Sequence, residues 1–156
     1  MIAVSNTSPL IFLAKVKKIG VLCKLFSRVL VPSAVWDELT AKPYSMTLPA
    51  CCRKEYVTEV ANLGLGAGET HAIHLAKRKN TPYIILDDHQ ARKAAQIIGL
   101  HTIGTLGILL LFLKKKFMSS AELRSALDVL VQSNFHVSVE LYSHVLREAA
   151  KYEDKL

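Results

Sequence analysis

Apolar residues along this chain fall into short runs that read as strands and into stripes at helical spacing. Residues 1–5 are mostly apolar and predict a first strand. Ser8-Pro9 predicts a helix start, with Ser8 as N-cap and Pro9 as first helical residue. Leu10, Leu13, Ala14 and Lys17 follow at helical spacing. A second short helix is expected over 21–26, and a β-branched strand over 28–31 that ends at Pro32. Residues 33–40 predict a helix with Val35, Trp36 and Leu39 on its apolar side. A proline-containing loop (41–53) and a strand over 56–60 come next. Gly64, Gly66 and Gly68 make a flexible entry to a helix over 69–79. Then come a buried-type strand (82–86), a helix (88–98) stopped by Gly99, a short strand (101–103) and an apolar helix (106–115). Two amphipathic helices, 121–131 and 139–150, complete the pattern. Strand–helix alternation implies an α/β fold with a mostly parallel sheet covered on both faces, and two further helices at the C-terminal end. No repeat, linker or low-complexity stretch divides the chain, so a single domain over 1–156 is expected.

Composition agrees with a globular chain: 51% of residues are hydrophobic and 21% charged. The net charge of +7 makes an anionic partner such as nucleic acid a candidate. Residues 1–30 carry Lys15, Lys17, Lys18, Lys24 and Arg28 and no acid. The clusters Lys77-Arg78-Lys79 and Lys114-Lys115-Lys116 are further candidates, or else solvated helix ends. The longest apolar run, Leu106–Leu113, is far shorter than the roughly 18 residues of a membrane span. It reads as core or as a homodimer seam. Cys23, Cys51 and Cys52 form no paired framework by spacing, and the opening residues lack a basic leader region, so a reducing cytoplasm is the expected home.

In an open parallel sheet, ligands gather at the carboxyl ends of the strands. Polar residues fall there at Asn6-Thr7-Ser8, at Glu38, at Glu69 and at Asp87-Asp88. Glu69 shares a helix face with Ala72, Ile73 and Ala76, an unusual place for a charge. Asp88 is expected to cap the next helix, which leaves Asp87 without a local duty. Each position also has a plainer reading as a cap, a surface carboxylate or a first-turn acid. Converging carboxylates would repel one another, and a divalent cation would resolve the repulsion. Oxygen ligands that also admit phosphate suit Mg²⁺ or Mn²⁺, which can activate water for phosphodiester hydrolysis.

These segments resemble a known family. Residues 4–11 (VSNTSPLI), 35–39 (VWDEL), 66–73 (GAGETHAI) and 85–88 (ILDD), in that order, are similar to PIN-domain proteins, as is 103–107 (IGTLG). The prokaryotic branch of VapC-like toxins is the most similar. The resemblance implies an RNase H-like sheet sandwiched by helices and a Mg²⁺- or Mn²⁺-dependent endoribonuclease of single-stranded RNA. It implies a catalytic cluster at Asn6, Glu38, Glu69 and Asp87, with Glu69, Asp87 and Asn6 at the metal. Ser8, Lys15 and Arg92 are expected to face RNA, and a homodimer and an antitoxin protein are implied partners. The family pattern has Asp where this chain has Asn6. Asn keeps the shape and an acceptor oxygen but loses the charge, so impaired cleavage is expected.

Other readings compete. A non-catalytic RNA- or partner-binding module of the same fold is the main rival. The helix-borne His71 and His74 with His89 could suggest zinc, but nothing at familiar spacing completes a tetrahedral set. The run Gly64–Gly68 lacks the Lys-Ser/Thr of a P-loop and does not follow the first strand, which weakens a Rossmann-type nucleotide binder.

Overall fold

The computed structural model describes residues 1–58 and 60–153. Strands β1 (Ile2–Ser5), β2 (Arg28–Pro32), β3 (Cys52–Glu55), β4 (Tyr83–Ile85) and β5 (His101–Ile103) form one sheet. Its order is β3-β2-β1-β4-β5, and every pairing is parallel. The helices are α1 (Thr7–Lys15), α2 (Leu22–Leu25), α3 (Ser33–Thr40), α4 (Ala67–Arg78), α5 (His89–Ile97), α6 (Thr105–Lys114), α7 (Ser120–Gln132) and α8 (Val139–Ala150). A 3₁₀ turn, Ile19–Val21, leads into α2.

The strands' two-residue period divides the core between the two faces. Ala3, Val29, Val31 and Ile85 face one way, onto α1, α3 and α6 with α7 and α8 behind. Val4, Leu30, Ile84 and Leu86 face the other way, onto α4 and α5. A sheet buried on both faces needs continuous apolar strands, which is why β1, β2 and β4 read as near-unbroken hydrophobic runs. The α/β sandwich expected from the alternation is therefore present. The apolar run in α6 is core: Ile108, Leu109, Phe112 and Leu113 are buried within this chain. No helix among the described residues is long and apolar enough to cross a membrane.

Several expectations are corrected. The third strand lies at Cys52–Glu55, not at 56–60, and Tyr56 is exposed. The register explains the shift, because Glu55 already pairs with Pro32, the last residue of β2, and a later strand would have no ladder partner. Residue 59 of the expected strand lies outside the described residues, as do 154–156 of the expected domain. Helix α1 begins at Thr7, so Asn6 holds the N-cap position and Ser8 lies inside the helix. Lys17 falls beyond α1 with φ 58° and is exposed, so it does not extend the apolar stripe. Cys23 and Cys51 are joined in a disulfide that fastens α2 to the segment entering β3. Chain spacing hides this pair, since 28 residues separate cysteines that only the β2–β3 pairing brings together. Cys52 is free and buried, and burial pushes its thiol up to about 11 against the opposing pull of Arg53.

Candidate active site

The strand order reverses direction between β1 and β4, which are neighbours at the centre of the sheet. Such a switch point opens a crevice at the carboxyl edge, because the following helices leave toward opposite faces. Asn6 follows β1 directly, and its N–H donates to the Ile85 carbonyl at the end of β4 (3.2 Å). Asp87 lies two residues beyond β4. Helix α4 brings Glu69 to the same edge from its first turn.

Asn6 is 3% exposed, and its Nδ2 donates to Glu69 Oε1 at 2.9 Å. Its Oδ1 is buried and has no hydrogen-bond partner. That atom departs from the usual rule that buried polar groups are paired. Thr7 Oγ1 donates to Glu38 Oε2 at 2.9 Å, so the exposed Glu38 is tied to the same corner through Thr7. The polar run after β1 thus links two carboxylates, one on α3 and one on α4.

Asp87 has a structural duty, contrary to the expectation that it had none. Its Oδ1 accepts from the Thr105 N–H and its Oδ2 from the Thr105 hydroxyl, both at 2.7 Å. Thr105 is the first residue of α6, so Asp87 satisfies an N–H that the helix itself leaves unpaired. Asp88 does cap α5 as expected, accepting from the Ala91 N–H at 2.8 Å. Burial raises the Asp87 pKa above its ordinary value; the Thr105 bonds and the Arg92 guanidinium oppose that rise.

A proton binds Asp87 more tightly in the folded chain than in the unfolded one, so this group's contribution is most favourable to folding below the ordinary value of 3.8. That contribution is lost as pH rises through the raised folded value. Urea titrations across that window are expected to show a downward stability slope that Asp87→Asn removes. A slope unchanged by the substitution would assign it to another group.

Two glycines let the pieces meet. A Cβ on Gly68 would lie 2.5 Å from Asn6 Oδ1, and one on Gly104 would lie 2.9 Å from Asp87 Oδ1. In an open helix, Gly→Ala gains about 0.5–1 kcal/mol. At Gly68 the clash reverses the sign, and Gly68→Ala is expected to destabilise the protein by about 1–3 kcal/mol. Denaturant midpoints of the two proteins decide it, and a stabilised variant would show that α4 has room to retreat from Asn6.

The expected site residues are only partly brought together. Asn6 and Glu69 touch, Glu38 joins through Thr7, and Asp87 stands at the end of the neighbouring strand with Arg92 beside it. Among the described residues, no group of three His, Cys, Asp or Glu side chains is placed to hold a metal ion. Glu38, Glu69 and Asp87, the three carboxylates expected to converge, do not form such a group among the described residues, and the fourth position at this edge is the amide Asn6. Zinc at His71, His74 and His89 is not assembled either, since His74 Nε2 pairs with the Ala61 carbonyl (3.1 Å). Lys15 lies at the far end of α1, ~12 Å along the axis from Thr7 at ~1.5 Å per residue. It sits over the Phe12 ring instead. Lys77–Lys79 and Lys114–Lys116 likewise stand at the ends of α4 and α6 remote from the carboxyl edge. Thr7, Gly68 and Thr105 also support the site, and the sequence pattern does not single them out. Their signals were weak: a polar residue after β1, a glycine in a helix's first turn, and Gly-Thr after the last strand.

A family model described as a PIN domain matches residues 2–151. Among solved structures, a PilT N-terminus domain protein from the hyperthermophilic archaeon Sulfolobus solfataricus P2 is similar, with 17% sequence identity and a TM-score of 0.48. That match covers 88% of this chain and 98% of the other. No curated protein matches the chain.

Proposed function

This chain belongs to the PIN-domain family, and from that premise we propose that it is a divalent-metal-dependent endoribonuclease of single-stranded RNA with a weakened metal centre. The observation that carries the reading is the buried, unpartnered Oδ1 of Asn6 beside the Glu69 carboxylate. An acceptor left without a donor at the switch point of a parallel sheet fits a cation ligand.

The donor set fits Mg²⁺ or Mn²⁺, which favour oxygen. Asn6 Oδ1, Glu69 and Asp87 would hold the ion; both Asp87 oxygens accept from Thr105 but keep lone pairs to share. Such an ion, when bound, would supply an activated water and neutralise charge on the phosphate. The chain's own residues do the rest. Thr105 fixes the Asp87 carboxylate, and Arg92 beside it would meet a phosphate. Thr7 holds Glu38 at the rim, where a carboxylate can orient water. Ser8, in the first turn of α1, would lie against the RNA backbone.

The test is a Mn²⁺-dependent cleavage assay on single-stranded RNA, with Glu69→Gln alongside. Slow cleavage that Glu69→Gln abolishes supports the reading. A second reading, an RNA-binding module without catalysis, is favoured by the Asn6–Glu69 hydrogen bond, which satisfies the carboxylate with no cation. It predicts that Glu69→Gln leaves RNA affinity intact and that no form of the protein cuts.

A further inference from the structure

A cleft of about 300 Å³ opens beside the candidate centre, lined by residues of α5, β5, the first turns of α6, the segment joining α7 to α8, and the start of α8. It shares Asp87 and Arg92 with the site just described. A larger hollow of about 620 Å³ around the start of α7 shares no residue with that site. The cleft's lining is of two kinds. Leu110 and Phe135 are among its apolar lining residues, and Phe135 is held edge-on against Phe12 with ring centroids 4.8 Å apart. Arg92, His136 and His144 add hydrogen-bonding and planar groups to the lining, and both histidines are exposed.

We infer that this cleft is a nucleotide subsite that receives one base of single-stranded RNA next to the scissile phosphate and so sets base preference. The inference rests on the ribonuclease reading and extends it from backbone cleavage to base selection. Size supports one occupant, since about 300 Å³ is the lower end of small-molecule sites (~300–1,000 Å³) and too small for a run of bases. The lining holds the kinds of group a splayed base uses: apolar and aromatic side chains to stack against, and polar side chains to bond its edge. Position supplies the link, because Arg92 lies at once in the cleft and beside Asp87. A base in the cleft would therefore carry its phosphate to the carboxyl edge.

The experiment titrates the four nucleoside 5′-monophosphates into the protein in EDTA, followed by backbone amide resonances. Saturable shifts are expected at Thr102, Gly104 and Gly107, with one base bound more tightly than the others. His136→Ala and His144→Ala are expected to weaken that base roughly five- to tenfold. Shifts that fall elsewhere, or that neither variant changes, overturn the subsite. So does a cleft that answers to an acidic or apolar peptide and to no nucleotide. Because no metal is present, the result is independent of cleavage. Specific nucleotide binding without any cutting, even by Asn6→Asp, keeps the subsite and removes the ribonuclease reading. Cutting by Asn6→Asp whose base preference is untouched by His136→Ala does the reverse.

Discussion

Asn6→Asp is expected to raise Mn²⁺-dependent RNA cleavage on the order of 10²-fold, comparable to restoring one charged group at a transition-state centre. The side chain it replaces is an amide whose Nδ2 lies 2.9 Å from Glu69 Oε1. Aspartate has the same shape but sets two carboxylates against each other at that contact. Without a cation their repulsion destabilises the fold. With a cation the same geometry becomes attractive. The variant should therefore melt below the parent chain in EDTA and gain more than the parent when Mn²⁺ is added. Its affinity for Mn²⁺ should rise by at least the ~10–100-fold associated with altering supports of a metal site. Melting and cleavage are separate readouts. A variant that melts identically with and without Mn²⁺ and leaves RNA intact would remove the metal centre from the account.

The second large effect concerns Asp87, where fold and chemistry share one side chain. Asp87→Ala leaves the Thr105 N–H and hydroxyl without their acceptor at the start of α6. Orphaning these groups of the buried Thr105 is expected to lower stability by about 1–3 kcal/mol. Asp87→Asn keeps one oxygen for the N–H and can offer its amide to the hydroxyl, so its stability should stay within about 1 kcal/mol of the parent. Both substitutions remove the charge that a cation needs. In the Asn6→Asp background, each is expected to reduce cleavage on the order of 10²-fold or more. Denaturant unfolding and RNA cleavage, measured on both variants, separate the two roles. If Asp87→Asn cuts as well as its parent, Asp87 serves α6 alone.

The contrast between Asp87 and Asp88 shows how far local reasoning reaches. Asp88 caps the helix that begins one residue later, an interaction confined to three positions along the chain, and sequence reasoning assigned it. Asp87 bonds to Thr105, 18 residues away, and nothing near it in sequence reveals that partner. The same holds for the first turn of α1. Ser8-Pro9 suggested a helix start, but β1 hands its last backbone bond to Ile85 through Asn6, and the helix begins a residue earlier. The cysteines repeat the lesson, because spacing alone could not show that Cys23 and Cys51 meet.

By itself the sequence determined the class of fold, the order of its elements and the buried character of the strand before Asp87. Those follow from periodicity and burial, which are written locally into each segment. It also marked Asn6, Glu38, Glu69 and Asp87 as polar residues bound for one edge. Only the tertiary structure decided how they meet there: Asn6 on Glu69, Glu38 through Thr7, and Asp87 held by Thr105. Contacts between residues as far apart as Asn6 and Glu69 depend on strand order and on a glycine that lets α4 close on β1. Such contacts are set by packing at the ångström scale, which no pattern of residue types along the chain encodes.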